Sequence, residues 1–395
     1  MKKTAFVFTI IISVFAISGV LIAAAASAIK NSFIKAVDDA IWYHFPAVAP
    51  TATEHGSKEF WTSSADNCET HTLVDPNEGP YIEKDFSTYD SFTTLSFEDD
   101  RYVYCLNAEE LGIIPVIDNV NMTITYGLFP QTHVNDESTI DVLNDLFLNG
   151  DGRNTQLFNG EYYLRRTATT CTLVDNPVFD DGTPIVSGEI YWFKYEPIKW
   201  NILSNNGNEY LLLSSDLLFA CKYMNVSSNT YEVSGETYYA NEYYYSYLRY
   251  FLTQDFYTSF KFNESYIQTT TVDNSASTTE SNDNPFTCEN TYDTVFSLSY
   301  KDYLNPDYGF STSTDPSNTR CSKTTDYARS RGAYYSTDPL YLYNGWYWTR
   351  SPYFNSIYPE DTRSVTRVSF KGHFNLGTID FTFTCIRPAI TIKIS

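Results

Sequence analysis

Histidine stands at positions 44, 55, 71, 133 and 373, and cysteine at 68, 105, 171, 221, 288, 321 and 385. These are the side chains that could activate a nucleophile or hold a transition metal. Neither set falls into a working pattern. No Gly-x-Ser-x-Gly elbow presents a serine, and His373 sits in a turn two residues after Lys371. Cys68-x-x-His71 has the spacing of half a zinc site, whereas structural zinc takes four ligands. Asn149, Asp151 and Asn154 offer oxygens around Gly150 and Gly152. No glutamate closes that loop at EF-hand spacing, so it reads as a turn. With 48 acidic residues, carboxylates will neighbour one another by chance, and nothing marks a glycosidase pair. The sequence thus nominates no catalytic residue, no metal ligand and no cofactor.

Binding chemistry is better represented. The chain carries 34 Tyr beside 27 Phe and 6 Trp, and tyrosine joins a flat apolar face to a hydroxyl that tolerates water. High β-propensity alone also favours tyrosine on half-buried strands. Two stretches concentrate the candidates. In Trp346-Tyr347-Trp348-Thr349-Arg350, strand alternation puts Trp346 and Trp348 on one face. That face stacks on a ligand if exposed and stabilises the fold if buried; Arg350 and Arg387 read as anchors for loops through carbonyl or carboxylate contacts. The Tyr231–Tyr245 run is the more natural exposed surface. The ligand-contact candidates are therefore Trp346, Trp348, Arg350, Tyr238, Tyr239, Tyr243 and Tyr244.

Several motifs carry a family resemblance. Trp346-Tyr347-Trp348-Thr349-Arg350-Ser351-Pro352, closed by Cys385-Ile386-Arg387-Pro388-Ala389-Ile390, resembles the end of a bacterial surface-protein family known as domain of unknown function 6273. Gly127-Leu128-Phe129-Pro130-Gln131-Thr132 and Glu196-Pro197-Ile198-Lys199-Trp200 are similar to its opening stretches. Ser246-Tyr247-Leu248-Arg249-Tyr250-Phe251 resembles its helix. The structural signature is thus Pro130, Glu196, Pro197, Trp200, Ser351, Pro352, Arg387 and Pro388. The resemblance implies a C-type-lectin-like fold related to formylglycine-generating enzymes. The cysteine pair of those enzymes has no local counterpart here, and neither does the calcium motif of sugar-binding lectins, so the resemblance implies no activity.

The elements that would position these residues follow from pattern. Met1-Lys2-Lys3 precedes an uncharged apolar run to Ala26, and Ala26-Ser27-Ala28 offers small residues for cleavage; residues 1–28 read as a signal peptide or signal anchor. Residues 29–50 read as a stalk, 51–118 as a small β-rich module and 120–395 as the lectin-like domain. The expected class is α+β: antiparallel strands with one or two helices. A strand from Ile124 is expected to stop at Pro130, and a hairpin turns at Asn205-Asn206-Gly207-Asn208. A helix is expected over 238–260, where Tyr244, Leu248, Phe251, Leu252 and Phe256 recur at helical spacing, and a shorter one over 297–304. Residues 268–285 and 307–325 are polar enough to be expected as exposed loops. In an oxidising compartment Cys288 and Cys321 could close such a loop, and Cys68 and Cys105 could staple the small module, while Cys221 and Cys385 look like buried hydrophobes.

Net charge is −22, which excludes a phosphate-neutralising role and hence nucleic acid, and disfavours anionic lipid. Membrane contact is expected solely through an uncleaved N-terminal segment. The expected function is an exported, extracellular or surface-anchored binding or adhesion module for a glycan or protein. The alternatives are an inert structural surface module and an unrecognised enzyme acting on wall or glycan.

Overall fold

Two strands carry a proline in mid-run, and both remain in their sheet. The computed structural model describes residues 92–95, 104–107, 114–150, 152–226, 228–233, 236–260 and 264–394. Within it Thr123–His133 pairs antiparallel with the 17-residue strand Ile190–Asn206. The register shifts between Thr125 and Leu128 and again between Pro130 and Thr132. At such bulges a missing N–H leaves no ladder bond unmade. The expectation that Pro130 ends its strand is therefore corrected: the strand runs on to His133, and Pro197 lies opposite Leu128. Gly127, at φ +75°, makes the bend, and a Cβ there would overlap the ring of Phe260.

Nine strands make the larger sheet. Its main path runs Ile267–Gln268, Pro388–Lys393, Glu209–Ser214, Ile190–Asn206, Thr123–His133 and Val116–Asp118. Val295–Ser297 also pairs with 388–393, and Glu161–Thr167 joins Thr155–Phe158 to the long strand. Gly207, at φ +72°, completes the tight turn between the long strand and 209–214. A second sheet of five strands runs Phe374–Thr378, Ser364–Val368, Tyr347–Pro352, Cys385–Ile386 and Phe219–Ala220. Strand well outweighs helix, which is compatible with the expected α+β class. The main core gathers Trp200, Phe193 and Ile390 of the large sheet, Trp348 of the small one, and Phe256 and Tyr327 from helical segments.

The closing Cys-Ile-Arg-Pro-Ala-Ile stretch joins the sheets. Cys385–Ile386 pairs with Phe219–Ala220 in the small sheet, and Pro388–Lys393 pairs with Glu209–Ser214 in the large one. Pro388 cannot donate, so the chain changes partners where a donor is missing. Arg387 sits at the crossing and bonds the carbonyl of Ser214 and the hydroxyl of Tyr347. Within the core, Trp200 donates its indole N–H to the Tyr126 carbonyl at 2.8 Å.

Both expected helices are corrected. The helix does not begin at Tyr238. Glu236–Tyr239 forms a hairpin with Thr230–Val233, and helical backbone starts at Tyr247 after Ser246, whose Oγ accepts the Arg249 N–H. It continues as a π turn over Phe251–Phe256 and ends at Ser259. The short helix expected over 297–304 shrinks to one 3₁₀ turn at Asp302–Leu304, because Val295–Ser297 is taken into the sheet.

The polar segments are not bare loops either. In 268–285, Thr270–Val272 pairs with Thr291–Asp293, and Asn274, Thr279 and Asn284 are buried. Asn284 donates to the Pro352 carbonyl at 2.8 Å and Asn274 to that of Glu289 at 2.9 Å. In 307–325 the organiser is Arg320, fully buried, which donates to the carbonyls of Tyr303, Ser311, Ser313, Asp315 and Gly372. Side-chain bonds to backbone supply the order that aliphatic burial does not.

Cys288 and Cys321 are free thiols, as are Cys171, Cys221 and Cys385, so the expected Cys288–Cys321 bridge is also corrected. The Cys288 thiol accepts backbone N–H groups of Tyr243 and Tyr244, whereas Cys321 faces the carbonyls of Ser317 and Phe370. Cys221 and Cys385 are buried. The expected export segment and stalk, most of the expected small module, Cys68, His44, His55, His71 and Asp151 lie outside the described residues. Of the small module the hairpin Phe92–Leu95 with Tyr104–Asn107 is described, and Val116–Asp118 forms the edge of the large sheet. Among the described residues, no helix is long and apolar enough to cross a membrane.

Candidate functional site

The hairpin that displaces the expected helix builds an aromatic surface. Tyr231 and Tyr238 are cross-strand partners, which puts their rings on one face with centroids 6.0 Å apart. Tyr245 stands edge-on to Tyr238 at 4.7 Å, and Tyr244 edge-on to Tyr245 at the same distance. The hydroxyl of Tyr238 donates to Glu236 at 2.8 Å, which raises its pKa. On the other face of the strand Tyr239 is exposed and packs against Phe286, which meets Phe354.

Beneath these rings the chain is pinned. Asn241 is fully buried and donates to the carbonyls of Tyr353 and Ser364. The next residue, Glu242, is only 5% exposed, and its Oε1 meets no hydrogen-bond donor. Burial pushes its carboxyl up to about 7, with one backbone bond to the Tyr239 region opposing. The hydroxyl of Tyr231 is likewise buried without a partner. Burial raises its pKa first, then the charges of Glu242 and Cys288, then Tyr245 and Tyr238. Cys288 is pushed up to about 11, again chiefly by burial. One border of the cluster is cationic but already occupied: Arg249 lies 5.1 Å over the Tyr244 ring and bonds Asp293 through Nε and Nη2.

The candidates thus separate. Tyr238 and Tyr244 come together on the surface with Tyr231 and Tyr245, and Tyr239 lies on the reverse face. Tyr243 points into the core, where its hydroxyl accepts the Ser297 N–H. Trp348 is fully buried and donates its indole N–H to the Cys221 carbonyl at 2.8 Å. Trp346 is half-buried, stacked on Tyr334 at 4.0 Å with the Arg367 guanidinium 4.1 Å from its ring. Arg350 is buried and ties three segments together, bonding the carbonyls of Asp273 and Ser297 and the carboxylate of Asp302. Ser351 and Pro352 continue that seam through Tyr300, Thr278 and Asn284. Tyr231 and Tyr245 bound the run expected to be exposed but were not among the contact candidates, and Glu242 escaped the residue-type reading; an acid set between Tyr238-Tyr239 and Tyr243-Tyr244-Tyr245 was the available signal.

Two histidine arrangements resemble catalytic fragments. His373 Nδ1 and Ser369 Oγ are 2.7 Å apart, but that oxygen also accepts the N–H groups of Lys371 and His373. It is a turn-closing serine, and burial beside Lys371 lowers the imidazole pKa. His133 pairs with Asp181 at 3.0 Å and stacks on Phe179 at 4.1 Å, with Tyr191 and Phe193 around it. Its neighbours are thus rings and a carboxylate rather than a nucleophile. Among the described residues, no group of three His, Cys, Asp or Glu could hold a metal ion.

The geometry is that of a two-sheet α+β domain with an aromatic hairpin face and an acid buried under it. Residues 207–394 match the family described as Domain of unknown function (DUF6273), which supports the resemblance carried by the Trp-Thr-Arg-Ser-Pro and Ile-Arg-Pro-Ala stretches. That span takes in the aromatic hairpin, the helix and the buried Arg320, Arg350 and Arg387. The strands from 116 to 206 lie before it. No curated protein and no solved structure matches the chain.

Proposed function

We propose that this protein is an exported surface module that binds an extracellular ligand, a glycan or a protein, through its tyrosine hairpin. The observation that carries this reading is the contiguous ring set Tyr231, Tyr238, Tyr244 and Tyr245, with Tyr245 39% exposed. Rings held by their neighbours present contact area at little conformational cost. The rest of the proposal is finer. The scaffold is of C-type-lectin-like type, supported by the largely antiparallel sheets and by the last strand returning to pair with Glu209–Ser214 in the large one. Export is supported by the pattern of residues 1–28. The acidic surface, at −22 overall, keeps such a protein soluble and away from nucleic acid.

A binding screen of the full chain against glycans and cell-wall fragments tests the proposal. Saturable binding that falls at least about tenfold in the double variant Tyr238→Ala, Tyr245→Ala is the expected result. Binding that survives the double variant moves the site elsewhere, and absence of binding across the panel overturns the reading.

A further inference from the structure

We infer that the tyrosine face binds an organic ammonium group, held between the rings of Tyr231, Tyr238 and Tyr245 and the buried carboxylate of Glu242. The inference rests on the proposed ligand-binding reading and names the chemistry that the face would take. Three observations converge. The rings sit at 6.0 and 4.7 Å from one another, with Tyr238 and Tyr245 at 71°. Non-parallel tyrosines leave a corner into which more than one negative ring face points, the arrangement that attracts a cation. Next, Glu242 is 95% buried by its 5% exposure, yet Oε1 has no donor, and the Tyr231 hydroxyl beside it has none either. A buried carboxylate oxygen without a partner is unfavourable unless a charge or donor arrives. Finally, the bordering guanidinium of Arg249 is held by Asp293 and the Tyr244 carbonyl, so it does not neutralise Glu242. Glu236, bonded to Tyr238, adds a second acid at the rim.

A neutral sugar would use the rings and the hydroxyls but would leave the carboxylate without a counter-charge. An ammonium satisfies both. The group could be quaternary, the side chain of a lysine or an amino sugar, and the three share the charge and differ in bulk and hydrogen-bond donors.

The test is titration of the full chain with choline, Nα-acetyl-lysine amide and glucosamine, each beside a neutral analogue: 3,3-dimethylbutanol, acetyl-norleucine amide and glucose. Supporting results are saturable binding of at least one cation, its neutral analogue about tenfold weaker or worse, and a similar loss in both Glu242→Gln and Tyr245→Leu. Tyr245 is exposed, so its variant keeps the test valid if Glu242→Gln fails to fold. The cation that binds identifies the source. Equal affinity for a neutral analogue, or affinity unchanged in both variants, overturns the ammonium inference. If none of the cations binds while tyrosine-dependent binding persists in the glycan and wall screen, the ammonium inference falls and the ligand face stands. Loss of both overturns both.

Discussion

The arginine-wired seam of the small sheet and the acid-bearing region around the hairpin and helix handle buried charge in opposite ways. Arg320 is 0% exposed and Arg387 is 4% exposed, yet both find backbone carbonyls or hydroxyls at the ends of strands and turns. Arg350 does the same and adds Asp302. By contrast Asp255, in the π turn of the helix, is fully buried with both carboxylate oxygens unpartnered, and Glu242 under the tyrosines has one free oxygen. A guanidinium has five donors in a fork and can organise several irregular segments at once. A carboxylate accepts, and two carboxylates buried among rings and thiols have few donors to accept from. The seam therefore spends its charges on holding the fold, whereas the acids raise the free energy of the region where they sit.

The comparison breaks most visibly at Arg320. Arg320→Ala leaves the carbonyls of Tyr303, Ser311, Ser313, Asp315 and Gly372 without their donor. Several lost charge-assisted bonds predict a destabilisation of about 3–5 kcal/mol, measured by urea denaturation. A loss below about 1 kcal/mol would show that these turns hold themselves. Gly372→Ala attacks the same node by another route. Gly372 lies at φ +73°, and an added Cβ would stand 2.0 Å from the Ser317 carbonyl oxygen, so about 2–3 kcal/mol is expected from backbone strain and displacement.

The acids predict the opposite sign. Burial raises the Asp255 carboxyl from 3.8 to about 7. A carboxyl whose folded pKa is raised contributes its stability fully below the unfolded value. That contribution is lost as pH rises through about 7. Asp255→Asn should therefore stabilise the protein at pH 8, on the order of 2–3 kcal/mol, with little change at pH 4. The same thermal or urea titration should lose its fall between about pH 4 and 7. A destabilised variant at pH 8 would mean that the ionised form has a partner. Glu242→Gln should act likewise and more weakly, about 1–2 kcal/mol, because one oxygen alone is unmet.

How much of this could be read in the residues divides along the same line. The strand pair was legible, since two apolar-rich runs flank an Asn-Gly turn, and it buries Leu212, Leu213 and Trp200. Arg350 and Arg387 were legible as anchors through the Arg-Ser-Pro and Arg-Pro contexts. Arg320 was not, because its acceptors are carbonyls five to 52 residues away, and carbonyls leave no mark on composition. The helix start was misplaced because Tyr244 extends a helical spacing that Ser246, a capping residue, interrupts. Cross-strand pairing of 230–233 with 236–239 then decided the hairpin, a short-range pairing that helical periodicity does not register. Tyr243 and Trp348 were read for their aromatic type, and it is burial, a tertiary property, that removes them from the surface.

The smallest expected effect sharpens the comparison from the cysteine side. Cys288 belongs to the tyrosine region and Cys321 to the arginine seam, and neither is bridged. Each thiol occupies a small, partly buried space: Cys288 accepts two backbone N–H groups, and Cys321 faces the carbonyls of Ser317 and Phe370. Cys288→Ala and Cys321→Ala should each change stability by less than about 1 kcal/mol. A reductant should leave the melting temperature of the parent chain unmoved over this region. A drop of several kcal/mol in both variants, reproduced by reductant, would reveal a covalent link between the two regions. The seam and the tyrosine face would then share one restraint, and their contrast would no longer rest on hydrogen bonding alone. Equal and small effects keep it there, with the seam held by arginine donors and the face left with acids that lack one.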